Sequence, residues 1–394
     1  MKDKVQKIVT HRKFIVILYV LFALGASIQS LMLSPKTVGG GDIEYSNYNN
    51  YVIFSQSFQH LKNNQDLYIL YPEEHWDLFK YTPTFSAFFG LFTLFPDWLG
   101  VNLWNLLNAL VLFSAIYYLP RLNNTRKGWV LLIVLLELIG SMMGEQSNAL
   151  LAGLLVFSFG LLENKRYLIA TLCIVLTVFI KLFGVVGFAL LLFYPQKWKL
   201  ALYSLGWTLI MLLIPFIYID YDQYLNLISS YGHMLNNDHM ISNGFSVMGW
   251  LNSWFSLNVS SMVVVLTGAG LFLIPLARLR AYKYFSFRYL TLASILLWIV
   301  IFNHKAESPT YIIAMTGVAL WFINGEKNPT NIVLLVLAIL LVSIFSTDLL
   351  PRNFRTDFIQ PYAFKALPCI LIWIKIIYDM MLLKPDQRKT NHNG

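Results

Sequence analysis

The feature that most restricts this chain is the recurrence of apolar runs of membrane length, joined by short polar links. A span needs about 20 apolar residues, or as few as roughly 17. Residues 14–33, 99–119, 200–219, 258–277 and 362–383 reach that length, and shorter runs lie at 129–142, 147–162, 167–180, 183–194, 289–302, 308–323 and 331–347. Charged residues are 12% of the 394, against 57% hydrophobic. A soluble domain carries about 25% charged residues, and half that share cannot cover a solvated surface. The expected class is an all-α integral membrane protein, a helical bundle of about 12 transmembrane helices forming a single domain over 1–394.

The formal net charge is +9. The basic residues sit in links such as 121–128, 163–166, 194–199 and 277–288 and in the tail 384–394. That is the positive-inside pattern, and it places both termini and these links in the cytoplasm. It argues against a nucleic-acid partner. The basic N-terminus precedes a long apolar run with no small-residue cleavage site after it, which reads as an uncleaved first span. Cys173 and Cys369 both lie in apolar runs and form no C-x-x-C or zinc pattern, so no metal or disulfide framework is expected.

Two long polar stretches fall outside on this topology, 34–81 and 220–257. The first is rich in aromatics and carboxylates, including Asp42, Glu44, Asp66, Glu73, Glu74 and Asp77. A loop of this length is more often functional than a spacer; it is expected to fold as a lid on the outer face. Residues 82–95 are apolar but short. Starting outside and reaching the basic link 121–128 inside requires an odd number of crossings, so 82–95 is read as a re-entrant or in-plane helix.

Ionisable groups within spans or at their ends are costly and mark function by default. Asp42 and Glu44 follow Gly39-Gly40-Gly41; two carboxylates at this spacing can serve as a general base, hold a sugar hydroxyl or a cation, or simply be solvated. Glu145, Gln146 and Asn148 sit at the junction of two apolar runs, where they bind substrate or hydrogen-bond between helices; Glu137 lies within a run. Lys181 lies between two runs with no acid nearby in sequence. It binds a lipid phosphate or snorkels to the interface. His304, Lys305 and Glu307 form a further outer cluster, able to bind phosphate or to balance one another. Tyr81 and the other loop aromatics suit sugar stacking or interface anchoring. Asn243, with His239, Ser246 and Trp250, is a weaker wall candidate.

Taken in order, the long loop ending in DLYILYPEEHWDLFKYTPTFSAFFG, then GEQSNALLAGLL, a lysine in the next hairpin, SNGFSVMGWL and HKAESPTYIIA resemble glycosyltransferase family 87, the polyprenol-phosphate-mannose-dependent mannosyltransferases. The resemblance implies a GT-C fold in a bacterial cytoplasmic membrane, with the active site on the outer face. It implies a mannosyl-type sugar donor on polyprenyl phosphate, a glycolipid or glycan acceptor, membrane lipids as partners, and no cofactor or metal. The reaction implied is inverting, with a loop aspartate as base and Lys181, with His304 or Lys305, on the leaving phosphate. Counting back from Asp66-Leu67-Tyr68, the family's aspartate falls near Asn50 or Tyr51, neither an acid; Asp42 or Glu44 would then serve. A transporter or flippase for a lipid-linked substrate, and a noncatalytic envelope-assembly protein, are the other readings. The first predicts polar groups midway along spans, the second indifference to loss of Asp42 and Glu44.

Overall fold

The structure, a computed structural model, describes residues 10–38, 41–238, 243–345, 347 and 351–383. His239, Gly39, Gly40 and the tail 384–394 fall outside them. The chain divides into two compact units: Met1–Phe188 with Gln196–Ser242 and Ser308–Ile313, and Ala189–Pro195 with Asn243–Glu307 and Ala314–Gly394.

The first unit opens with helix α1 (Arg12–Met32), then a two-stranded antiparallel ribbon of β1 (Lys36–Thr37) and β2 (Glu44–Tyr45). Next come α2 (Asn49–Lys62), α3 (Pro83–Phe89), α4 (Asp97–Tyr118), α5 (Asn124–Ile133), α6 (Leu135–Met142), α7 (Asn148–Glu163) and α8 (Tyr167–Ile180). A 3₁₀ helix spans Leu182–Phe193, of which the first unit holds the part up to Phe188, followed by α9 (Lys197–Leu213) and α10 (Tyr221–Asp238). The helices pack in a row, α1 on α4, α4 on α7, α7 on α8 and α8 on α9. The α4–α7 seam is close because α7 offers glycines. A Cβ at Gly153 would stand 2.9 Å from the Leu112 backbone nitrogen, and one at Gly160 would stand 2.8 Å from the Tyr118 ring. Small residues at such seams let helices approach where lipid supplies no hydrophobic drive. Polar side chains then join helices: Asn105 donates to Ser27 Oγ at 2.9 Å and to the Met142 carbonyl at 3.0 Å.

Among the described residues, three helices are long and apolar enough to cross a membrane: Arg12–Met32, Asp97–Tyr118 and Lys197–Ile217. Shorter apolar helices occupy most of the other expected spans. Three local differences from expectation stand out, at 129–142, 183–194 and 220–257. The run 129–142 breaks at Val134 into α5 and α6, with Glu137 buried in α6. The run 183–194 is 3₁₀ rather than α. In the expected 220–257 loop, α10 covers 18 residues. Within 82–95 the helix α3 is seven residues long, about 10 Å at 1.5 Å per residue, so that helix by itself does not span a bilayer core of about 30 Å. Thr82 caps α3, accepting from the Phe85 amide at 3.3 Å, and Pro83 takes the first-turn position that needs no donor.

The second unit holds α11 (Val247–Phe255), α12 (Ser261–Leu276), α13 (Phe285–Ile301), most of α14 (Tyr311–Asn324), α15 (Pro329–Ala338), which continues as a π turn over Ile339–Ile344, and α16 (Ala366–Leu382). The C-terminal helix α16 is its centre and packs on α11, α12, α13 and α15. Trp373 donates to Ser294 Oγ at 2.9 Å, and the Arg278 guanidinium takes the Met380, Met381 and Leu383 carbonyls at the end of α16. A cation at a helix C-terminus also meets its dipole favourably.

Candidate active site

Tyr81, Asn148 and Lys181 meet in the first unit. Lys181 ends α8 in an extended conformation (φ −143°), so its side chain leaves the helix line. Its Nζ donates to Asn148 Oδ1 at 2.8 Å and lies 5.5 Å from the Tyr81 ring centre and 5.9 Å from that of Phe183. Ser147 Oγ donates to the Tyr81 hydroxyl at 3.2 Å. Tyr81 is held by stacking on Phe85 (centroids 4.4 Å apart), and its carbonyl accepts from the Tyr68 hydroxyl at 3.0 Å. Thr82 donates to the Phe179 carbonyl at 2.5 Å, tying the start of α3 to the end of α8. Asn148 is fully buried, and its Nδ2 has no hydrogen-bond partner. An ammonium, an unsatisfied amide N–H and the N-terminus of α7 therefore converge. Each favours an anion.

The turn before α7 is fixed from several sides. Trp104 Nε1 donates to the Glu145 carbonyl at 2.8 Å and Asn50 Nδ2 to the Gly144 carbonyl at 2.7 Å. The Gln146 amide donates to the Ser141 carbonyl at 3.0 Å, and the Gln146 side chain is half-buried. Glu145 takes a left-handed φ of 45°, uncommon for a side chain with a Cβ. It is fully buried, and neither carboxyl oxygen has a hydrogen-bond partner. Burial pushes its pKa up to about 8; Ser30 and the Lys36 ammonium pull the other way.

Asp42 and Glu44 stand apart from this cluster, exposed on the ribbon. The ribbon is anchored through Lys36, whose ammonium lies 4.7 Å from the Trp76 ring centre, and through Tyr45, whose hydroxyl donates to the Pro72 carbonyl at 2.8 Å. Other loop carboxylates are tied down. Asp66 accepts from Ser230 Oγ at 2.6 Å and from the Tyr68 amide at 2.9 Å. Glu74 lies 3.0 Å from His60 Nε2, and that imidazole stacks on Tyr71. Asp77 pairs with Lys80 at 3.2 Å. The place where the family resemblance expects an acid is taken by Asn50, which braces the Gly144 turn, and by Tyr51, buried with its hydroxyl 3.4 Å from the Phe92 carbonyl.

In the second unit Asn243 and His304 belong to two turns that pack on each other. The Phe245 amide donates to the Ala306 carbonyl at 2.8 Å. Gly244 has φ +50°, and a Cβ there would lie 2.7 Å from the His304 and Ala306 carbonyl oxygens. Ser246 caps α11, accepting from the Gly249 amide at 3.2 Å. Asn303 Oδ1 accepts from the Lys305 amide at 3.0 Å, and Glu307 is exposed.

Sequence reasoning did not select Trp104 or Lys36; Ser147 entered only as part of the polar turn 144–148, and Asn50 only as the place of a missing acid. Trp104 with Asn105 and Asn108 gave a signal, as polar atoms inside an apolar run that need partners. Lys36 gave only its isolation in an otherwise acidic stretch.

Comparison with known proteins gives the class, a glycosyltransferase. The model of glycosyltransferase family 87 matches residues 79–303, more than half of the chain. The chain belongs to glycosyltransferase family 87. No curated protein matches it. Among solved structures, ArnT from Cupriavidus metallidurans bound to undecaprenyl phosphate is similar over 93% of this chain and 77% of that one, at 16% identity and a TM-score of 0.43. That likeness is too distant to bear on chemistry.

Proposed function

We propose that this protein transfers a sugar, mannose or a close relative, from a polyprenyl-phosphate donor to a glycolipid or glycan acceptor at the outer face of a bacterial cytoplasmic membrane. The observation that carries the reading is the Lys181–Asn148–Tyr81 cluster in a chain of family 87. A lipid phosphate needs a cation and N–H donors fixed in advance, where charge develops on departure. Lys181 supplies the cation and Asn148 Nδ2 an unsatisfied N–H, while Tyr81, whose hydroxyl accepts from Ser147, fixes the ammonium from beside them. In the second unit His304 and Lys305 are candidates for a phosphate and Asn243 and Glu307 for hydroxyls of donor or acceptor, as is Gln146 in the first. A ribbon carboxylate, Asp42 ahead of Glu44, acts as base. It takes the proton of an acceptor hydroxyl, whose oxygen attacks the anomeric carbon from the face opposite the phosphate. The bond from that carbon to the phosphate oxygen breaks, the lipid phosphate leaves with the electron pair, and the configuration inverts.

The test is transfer by the purified protein in lipid, given synthetic polyprenyl-phosphate mannose and a crude lipid extract of its own cell. A mannosylated product is the expected result, and its identity names the acceptor. Neither donor binding nor transfer, with this or other polyprenyl-phosphate sugars, overturns the reading.

A further inference from the structure

The carboxyl of Glu145 has no place in the reaction as drawn, yet it is the most constrained acid among the described residues. Its backbone is pinned by Trp104 and by the Met142 carbonyl, which accepts the Glu145 amide at 3.1 Å. Its φ is left-handed, and its two oxygens are buried without a hydrogen-bond partner. A buried polar group left unsatisfied calls for an explanation. The neighbours around the turn are Ser30 from α1, Trp104 from α4 and Asn50 from α2, none of them titratable. The charged group that acts on the carboxyl is Lys36 from the ribbon. That ammonium is parked over Trp76 instead of pairing with Glu145. The Ser30 hydroxyl, which favours the ionised carboxyl, also donates to the Met143 carbonyl at 3.3 Å.

The same turn faces two ways. Ser147 and Asn148 point to Tyr81 and Lys181, where the donor phosphate is proposed to sit. On its other side the turn is tied to the ribbon's anchor: Asn50 holds the Gly144 carbonyl, and the adjoining Asn49 accepts from the amide of Trp76, the ring on which Lys36 rests. We propose that Glu145 is a positioning residue for that ribbon: on losing its proton to solvent it takes the Lys36 ammonium from Trp76, and the new ion pair draws β1 and β2 toward the turn beside the phosphate site. The inference rests on the reading of the ribbon as carrier of the base. Lys36 lies directly opposite Tyr45 in the ladder, one residue from Glu44, so a shift of Lys36 moves both strands. Burial sets the ionisation of Glu145 near pH 8. The ribbon is therefore released at lower pH and drawn in as pH rises through that value.

The experiment measures a distance and needs no substrate. Nitroxide labels go on Val38→Cys in the ribbon and Met143→Cys beside the turn, both exposed positions; the native Cys173 and Cys369 are buried. The full chain in lipid nanodiscs is followed by dipolar electron resonance from pH 6 to pH 9. The expected result is a shortening with a midpoint near pH 8, absent in Glu145→Gln and Lys36→Met and kept in Lys36→Arg. A distance constant with pH, or a shift unchanged in Glu145→Gln or Lys36→Met, overturns the proposal. Lys36 is exposed, so Lys36→Met decides the matter if Glu145→Gln does not fold. Because no donor is added, a negative result here is separate from failure of the transfer assay.

Discussion

At Lys181 an ammonium is held by a buried amide oxygen and faced by two rings. At Asp42 and Glu44 two carboxylates stand in solvent on a ribbon of two-residue strands. The first arrangement suits a group that must oppose charge in a fixed place, because a positioned cation screened from water does not have to reorganise as the phosphate leaves. The second suits a base, which must exchange its proton with solvent each cycle and admit an acceptor. On the proposed reading, the contrast teaches that the half of the reaction that meets the lipid phosphate is built in advance, whereas the half that meets the acceptor is left open.

The variants that would break this contrast order themselves by expected effect. Replacing the base, by Asp42→Asn or Glu44→Gln, is expected to lower kcat by about 10²–10⁴-fold, the usual worth of general base catalysis, with donor binding retained. If each single variant transfers at the full rate, the ribbon carries no base. Lys181→Ala is expected to cost about 10²-fold in kcat/KM, the scale of removing one preorganised group from a developing anion. An unchanged value would reduce Lys181 to a lysine at the membrane interface.

Glu145→Gln sharpens the comparison through stability. The folded-state pKa of Glu145 is raised from 4.5 to about 8, so the folded protein holds a proton that the unfolded chain releases. The resulting stabilisation is complete below about pH 4.5 and is lost as pH rises toward 8. Thermal unfolding of the variant relative to the parent is therefore expected to improve from pH 5 to pH 9; a gap independent of pH would contradict the buried, unpaired carboxyl. Tyr81→Phe, the mildest change, removes the acceptor of the Ser147 hydroxyl and leaves the ring beside Lys181. About 1 kcal/mol or less is expected, read as a change of a few-fold in donor KM.

Much of the helical order was legible because apolar runs in a chain so poor in charge have few other places to go. The breaks within those runs were not. Val134 carries no helix-breaking signal, and the switch to 3₁₀ after Lys181 is tied to Gly184, where a Cβ would lie 2.5 Å from the Thr177 backbone; closeness of that kind cannot be read along a sequence. The amphipathic α10 was hidden in a stretch read by its polarity, although Leu227, Tyr231 and Met234 recur at helical spacing and are all buried. In the site, Lys181 and Asn148 were legible as polar residues at the ends of apolar runs, and the structure joins them. The partners of Ser147, Asn50 and Trp104 were illegible because each acts through one hydrogen bond to a group distant in sequence, such as Trp104 to the carbonyl of Glu145.

The docking of α2 has a further consequence. A Cβ on Gly100 would lie 1.8 Å from the Tyr51 hydroxyl, and one on Gly90 would lie 2.5 Å from the Phe58 ring. The two rings are seven residues apart, about two helical turns, so α2 is keyed into the helices beneath it at two points. A part keyed twice can neither slide along its axis nor roll. Amide hydrogens of α2 should thus exchange with solvent as slowly as those of α4, and motion of the outer loop during a catalytic cycle is left to the few residues of the ribbon. Small elements reorient in nanoseconds to microseconds, which makes the ribbon the fast-moving part of residues 34–81.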